Sequence, residues 1–213
     1  MTSVSGVLLA AGESRRMGTF NKLALPVAGE PLLRRSARTL LEAGLQELVV
    51  VLGHQAEQAE ALVADLPVSV VHNARYRDGQ MTSVECGLEA LASSCDGVMI
   101  ALSDQPLLTA EDLRALIDAF GQRRDGSILV PTHGGRRGNP IILAYEHRAA
   151  ILGGGRNLGC RKLIEHNPDL VVALEMDTDH VVFDLDTPED YARLQERLNA
   201  EEETVLSTGH AGR

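Results

Sequence analysis

The chain has 213 residues, 44% of them hydrophobic, only 3% aromatic and none Trp, which suits one substantial core of Leu, Val, Ile and Ala packed as a buried parallel sheet between helices and is short for two independent domains. A formal charge of −10 argues against a nucleic-acid partner, whose phosphates draw on many Lys and Arg, yet leaves room for a small anionic ligand wherever positive charge is local. Cys86, Cys95 and Cys160 are widely spaced without a CxxC and read as reduced thiols; with no basic leader and no window near the roughly 18 to 20 apolar residues of a membrane span, a cytoplasmic protein without membrane contact is expected.

In chain order, the apolar run VSGVLLA (4–10) reads as a first strand, and residues 31–43 carry apolar side chains at helical spacing that stop at Gly44. The runs ELVVVL (47–52), VSVVH (68–72) and GVMIAL (97–102) follow as strands. Thr109 with Asp112 forms a capping box that opens a helix through Phe120. SILVP (127–131) is a further strand, followed by the irregular HGGRRGNP (133–140) and the glycines Gly153 to Gly155. DLVVAL (169–174) and HVVFDL (180–185) read as the last strands, and Thr187 with Asp190 caps a helix starting at Pro188. From about Asn199 the chain is polar without apolar period, so residues 199–213 are expected to form a disordered tail behind a single domain, 1–198. This is the βαβ rhythm of a Rossmann-like, doubly wound, mostly parallel sheet.

The first strand leads into a segment, 11–18, that holds Gly12, Arg15, Arg16 and Gly18, with Lys22 just beyond. Only Lys22 and Lys162 are lysines, against 18 arginines, so Lys22 stands out from generic surface charge. Open α/β sheets bind ligands at the carboxyl ends of their strands. Small residues there let backbone N–H groups approach an anion. The spacing matches neither GxxxxGK[ST] nor GxGxxG. That lowers the expectation of an ATPase or a nicotinamide enzyme, and a tight turn remains the plain alternative.

LAAGESRRMG followed by NKLALPVAGEPLL resembles the signature of the nucleotidyltransferases of the molybdenum cofactor group, most of all its cytidylyltransferases. The resemblance continues in order through HNARYRDGQMTSVECGL (72–88), ALSDQPLLT (101–109), GRRGNPIIL (135–143) and VFDLDTPEDY (182–191), nearly the whole chain. It implies the nucleotide-diphospho-sugar transferase type of fold and Mg²⁺-dependent transfer of a nucleotidyl group onto the terminal phosphate of molybdopterin, with release of pyrophosphate. Ala11 in LAAG, where guanylyl-transferring relatives read LAGG, implies CTP. Two departures stand out: the lysine lies one residue further from the MG pair, and GGGRNLGCRK lacks the acid that relatives carry, although Arg161 matches their arginine.

In-line attack on an α-phosphorus needs positioning and charge neutralisation rather than a covalent nucleophile. Leu9, Ala10, Ala11 and Gly12 would line the nucleotide, with Arg16 and Lys22 on the triphosphate. Asp104, just past the GVMIAL strand, is the expected Mg²⁺ ligand. Strand alternation would point Asp184 and Asp186 to one face; because Thr187 and Asp190 already cap the helix, both are available, Asp186 as second metal ligand and Asp184 beside it on the acceptor side. Asn73, Gly79, Thr82 and Ser83 are candidates for base or ribose, with an N-cap role for Ser83 as the plain alternative. Arg137, Asn139 and Arg161 are candidates for the pterin and its phosphate. Expected partners are CTP and the molybdopterin cofactor, with a molybdoenzyme or its maturation chaperone as a further one. A sugar phosphate acceptor, a cofactor-delivery protein without turnover and a scaffold redirected to oxidoreduction are the competing readings.

Overall fold

The protein is described here as a computed structural model covering residues 2–17, 21–153 and 164–209, with side chains excepted at 15 and 201–209. The strands are β1 (Val4–Ala10), β2 (Pro26–Val27), β3 (Glu30–Pro31), β4 (Leu48–Leu52), β5 (Ser69–His72), β6 (Gly97–Leu102), β7 (Ile128–His133), β8 (Arg136–Arg137), β9 (Ile141–Ala144) and β10 (Val171–Glu175). The helices are α1 (Leu32–Glu42), α2 (Ala56–Ala61), α3 (Gln80–Ala90), α4 (Ala110–Gln122), α5 (His147–Leu152) and the C-terminal α6 (Pro188–Gly209).

Eight strands form one sheet in the order β10-β7-β9-β6-β1-β4-β5, with β8 paired to β7 off that path; β2 and β3 form a separate hairpin. β1 runs parallel to both β4 and β6, β5 pairs in parallel with β4, and β10 pairs in parallel with β7. Within this sheet, among the described residues, the antiparallel pairings are those of β9 with β6 and β7 and of β8 with β7. The chain moves outward from β1 through β4 to β5, then returns to place β6 on the opposite side of β1. That reversal is a topological switch point, where neighbouring connections leave in opposite directions and a crevice opens at the strand ends.

Alternation along the buried strands feeds two cores. Leu8 and Ala10 of β1, Val50 and Leu52 of β4 and Met99 of β6 face α1 and α4, meeting Leu33, Leu40, Leu113, Leu116 and Phe120. Val7, Leu9, Val49, Val51, Val98 and Ile100 face the other way onto Val84 and Leu88 of α3 and Ile151 of α5. Side chains such as Leu8, Leu113 and Phe120 are fully buried, each contributing about 1.5–3 kcal/mol. α3 packs where only Gly fits at residue 87: a Cβ there would lie 2.3 Å from Val7 Cγ1 and 2.9 Å from Val51 Cγ2. Among the described residues no helix is long and apolar enough to cross a membrane.

Both capping boxes form as expected, Thr109 with Asp112 and Thr187 with Asp190, and α1 ends in a turn at Gly44, φ +87°. One expectation fails: HVVFDL is no strand. Asp179–Val182 is a short 3₁₀ helix and 183–187 follow as irregular chain, so strand alternation does not set the directions of Asp184 and Asp186. β9, in a segment not anticipated as a strand, fills the sheet between β6 and β7. α6 runs through Gly209, well past the expected boundary after residue 198.

Candidate active site

Leu9 pairs with both Val51 and Leu102, so β1 and β6 end together, and Ser103 N–H continues the contact by donating to Leu9 O (3.2 Å). Beyond β1 the chain opens at Ala11 and Gly12 and forms a 3₁₀ turn, Arg15–Met17. A second 3₁₀ turn, Lys22–Ala24, is capped by Asn21, whose Oδ1 accepts from Leu23 N–H (3.1 Å). That cap fixes the backbone of Lys22 and directs its stem under the cleft, where the side chain is only 11% exposed.

Lys22 Nζ donates to Asp104 Oδ2 (3.0 Å) and to Asp186 Oδ1 (3.4 Å), while Arg16 pairs with Asp186 Oδ2 at 3.0 Å. Asp104 comes from the end of β6 and Asp186 from the irregular segment before α6. The two are joined through backbone as well, since Leu185 N–H donates to Asp104 O (2.8 Å). Asp186 needs no capping role: its own N–H donates to Asp190 Oδ2 (3.0 Å), and Asp190 closes the box with Thr187. Asp184, behind this pair, accepts from Gln105 Nε2 (3.2 Å). Partial desolvation of this otherwise exposed residue, and then the neighbouring Asp104 and Asp186 charges, push its carboxyl upward against the opposing pull of Gln105 and Lys22.

Asp104 Oδ1 is buried with no hydrogen-bond partner. An unsatisfied buried carboxylate oxygen is costly, and a hard divalent cation is one group that would satisfy it, taking one or two carboxylates and completing its shell with water and phosphate oxygens. Among the described residues no set of three or more His, Cys, Asp and Glu side chains is grouped to hold a metal. Any ion here would therefore rest on this pair and on its ligand.

The cleft over these groups has a volume of about 380 Å³, within the range of small-molecule sites. Of the sequence candidates, Leu9, Ala11, Gly12, Arg16, Lys22, Ser83, Asp104 and Asp186 line it. Ala10 instead turns into the core under α1. Asn73 donates to Thr82 Oγ1 (2.8 Å) and Ser83 Oγ (3.0 Å), a buried network that ties the start of α3 to the sheet. Gly79 is the N-cap of α3, and Ser83 lies inside the helix rather than capping it. Arg137, on β8, and Asn139 lie outside the cleft lining; Asn139 N–H donates to Val181 O (2.9 Å). Arg161 lies outside the described residues. Ser14, Tyr76, Gln80 and Ser103 also line the cleft and were not singled out from sequence. Tyr76 and Gln80 fall within HNARYRDGQMTS, in the 3₁₀ turn Tyr76–Asp78 and at the N-terminus of α3, and no spacing pattern in the sequence marks them.

The switch-point cleft sets a lysine and an arginine against two aspartates, and the fold and family are those of nucleotidyltransferases. A family model described as the MobA-like NTP transferase domain matches residues 6–171, and the chain belongs to that family. It is 31% identical over 196 residues to nicotine blue oxidoreductase of Paenarthrobacter nicotinovorans, covering 90% of this chain and 96% of that one. It is 26% identical over 198 residues to molybdenum cofactor cytidylyltransferase of Escherichia coli, covering 92% and 98%. The crystal structure of Rv0371c from Mycobacterium tuberculosis superposes with a TM-score of 0.79 at 28% identity, over 92% of this chain and 98% of that one, and a further structure of Rv0371c is a complex with manganese.

Proposed function

We propose that the protein transfers CMP from CTP to molybdopterin cofactor, with Mg²⁺, releasing pyrophosphate. The observation that carries this reading is the Lys22–Asp104–Asp186 constellation under the cleft. LAAG at 9–12 supports CTP, and the full-length similarity to a molybdenum cofactor cytidylyltransferase supports the acceptor.

In the proposed reaction a terminal phosphate oxygen of the acceptor attacks the α-phosphorus of CTP; the new P–O bond forms as the α–β bridging bond breaks, and pyrophosphate leaves with the bridging oxygen. Backbone N–H groups at Ala11 and Gly12 orient the triphosphate. Lys22 and Arg16, drawn from their carboxylate partners onto phosphate oxygens, offset the charge that gathers on the leaving group. Asp104 and Asp186 would hold Mg²⁺, which when bound supplies further neutralisation of phosphate charge. The manganese complex of Rv0371c is consistent with a divalent cation in this fold.

The test is pyrophosphate release with each of the four nucleoside triphosphates, with and without molybdopterin cofactor. Release with CTP only in the presence of that acceptor is expected. Release with a sugar phosphate instead would move the acceptor, and release with GTP would move the nucleotide. No release with any pairing, together with oxidation or reduction of a dye or nicotinamide, would replace transfer by the chemistry in the name of the Paenarthrobacter relative.

A further inference from the structure

Gln105 is 3% exposed, carries no charge and lies outside the cleft lining, yet it holds the segment that delivers Asp186. Its Nε2 donates to Val181 O (2.9 Å) and to Asp184 Oδ1 (3.2 Å). The same Val181 carbonyl accepts from Asn139 N–H (2.9 Å), and Arg136 donates to Val182 O (3.2 Å). Residues 183–187 belong to no strand or helix, so no regular ladder fixes them. Their position rests on these side-chain and loop contacts on one side and on the Thr187–Asp190 cap on the other.

We propose that Gln105 is a positioning residue for the cation site, acting through Asp184 and the 181–186 backbone to set the separation of Asp186 from Asp104. The proposal rests on the nucleotidyl-transfer reading above. Because Asp104 and Gln105 are consecutive, one end of β6 supplies a carboxylate and the strut that brings its partner alongside. The Leu185 N–H bond to Asp104 O closes the same clamp from the backbone. Groups that hold a metal ligand in place commonly matter by 10- to 100-fold in affinity without touching the ion.

Gln105→Met keeps length and volume but removes the donor, and Gln105→Leu does so with a branched apolar side chain. Mn²⁺ binding is followed by electron paramagnetic resonance with CTP present, and amide hydrogen exchange is followed along the chain. Expected is Mn²⁺ affinity weaker by about tenfold or more in both variants, a higher Mg²⁺ requirement for turnover that excess Mg²⁺ partly restores, and faster exchange confined to 181–186. Should one variant fail to fold, the other gives the same readouts. Mn²⁺ affinity equal to that of the unaltered protein, or faster exchange spread evenly over β1 and α4, overturns the positioning role. If the unaltered protein binds no Mn²⁺ with any triphosphate, the nucleotidyl-transfer reading falls and takes this role with it.

Discussion

Lys22 Nζ sits between two carboxylates, 3.0 Å from Asp104 Oδ2 and 3.4 Å from Asp186 Oδ1. The ammonium is thus the counter-ion of this pair, and in the proposed reaction it would turn to the triphosphate. Lys22→Met should lower turnover by about 100-fold or more, and Lys22→Arg should restore little, because a planar fork does not replace a compact charge. The same Lys22→Met protein should bind Mn²⁺ more tightly than the unaltered protein when no nucleotide is present, as read by calorimetry. Unchanged or weaker binding would mean that Lys22 and the ion do not compete.

Asp104→Asn and Asp186→Asn should each remove most activity and weaken the Mg²⁺ dependence, and the double variant should lose far less than the product of the two losses. Melting temperatures should move little for Asp186→Asn, since the helix cap belongs to Thr187 and Asp190. Losses that simply multiply would separate the two carboxylates and shift attention to Asp184.

Nucleotide choice can be read without an acceptor. At 100 times its dissociation constant a ligand adds about 2.7 kcal/mol of stability, which is several degrees in a domain of this size. CTP with Mg²⁺ should raise the melting temperature more than GTP with Mg²⁺ does. An equal or larger shift with GTP would remove the CTP assignment.

Acid should act at the far side of the site. Burial pushes the Asp190 carboxyl up, but the Thr187 hydroxyl, the Arg193 guanidinium and the N–H groups of Asp186 and Thr187 together hold it down at about 2. A carboxylate whose folded value is depressed contributes stability above its unfolded value, about 3.9, and loses that contribution as pH falls towards its folded value. Melting temperature should thus fall between about pH 4 and pH 2. In Asp190→Asn it should start lower and fall less steeply over that window. Parallel curves for the two proteins would show that Asp190 does not carry the dependence.

Much of the sheet could be read directly, because β4 and β6 are continuous apolar runs and β1 is one apart from Ser5, the pattern of strands buried on both faces. HVVFDL misled for the same reason: Val181, Val182 and Leu185 are buried, Val181 and Leu185 completely, but they pack beneath loops and α6 rather than joining a ladder. β9, four residues behind Pro140, carries too little sequence for periodicity to separate it from a loop. Lys22, Asp104 and Asp186 could be found because their charges stand beside strand ends or cap motifs. Gln105 and Tyr76 could not be found this way, since their roles depend on segments that only folding brings near.

Asp186 meets Lys22 across 164 positions of chain, and Asp104 meets it across 82. During synthesis Lys22 leaves the ribosome before Asp104, and Asp104 before Asp186. Until residue 186 has left the exit tunnel and docked against β6, Asp104 is the one carboxylate of the pair that can meet Lys22. Contacts of such long range form late and slowly. Assembly of the three-charge cluster therefore requires the docking of residues 183–187 against the end of β6 as well as the pairing of the central strands.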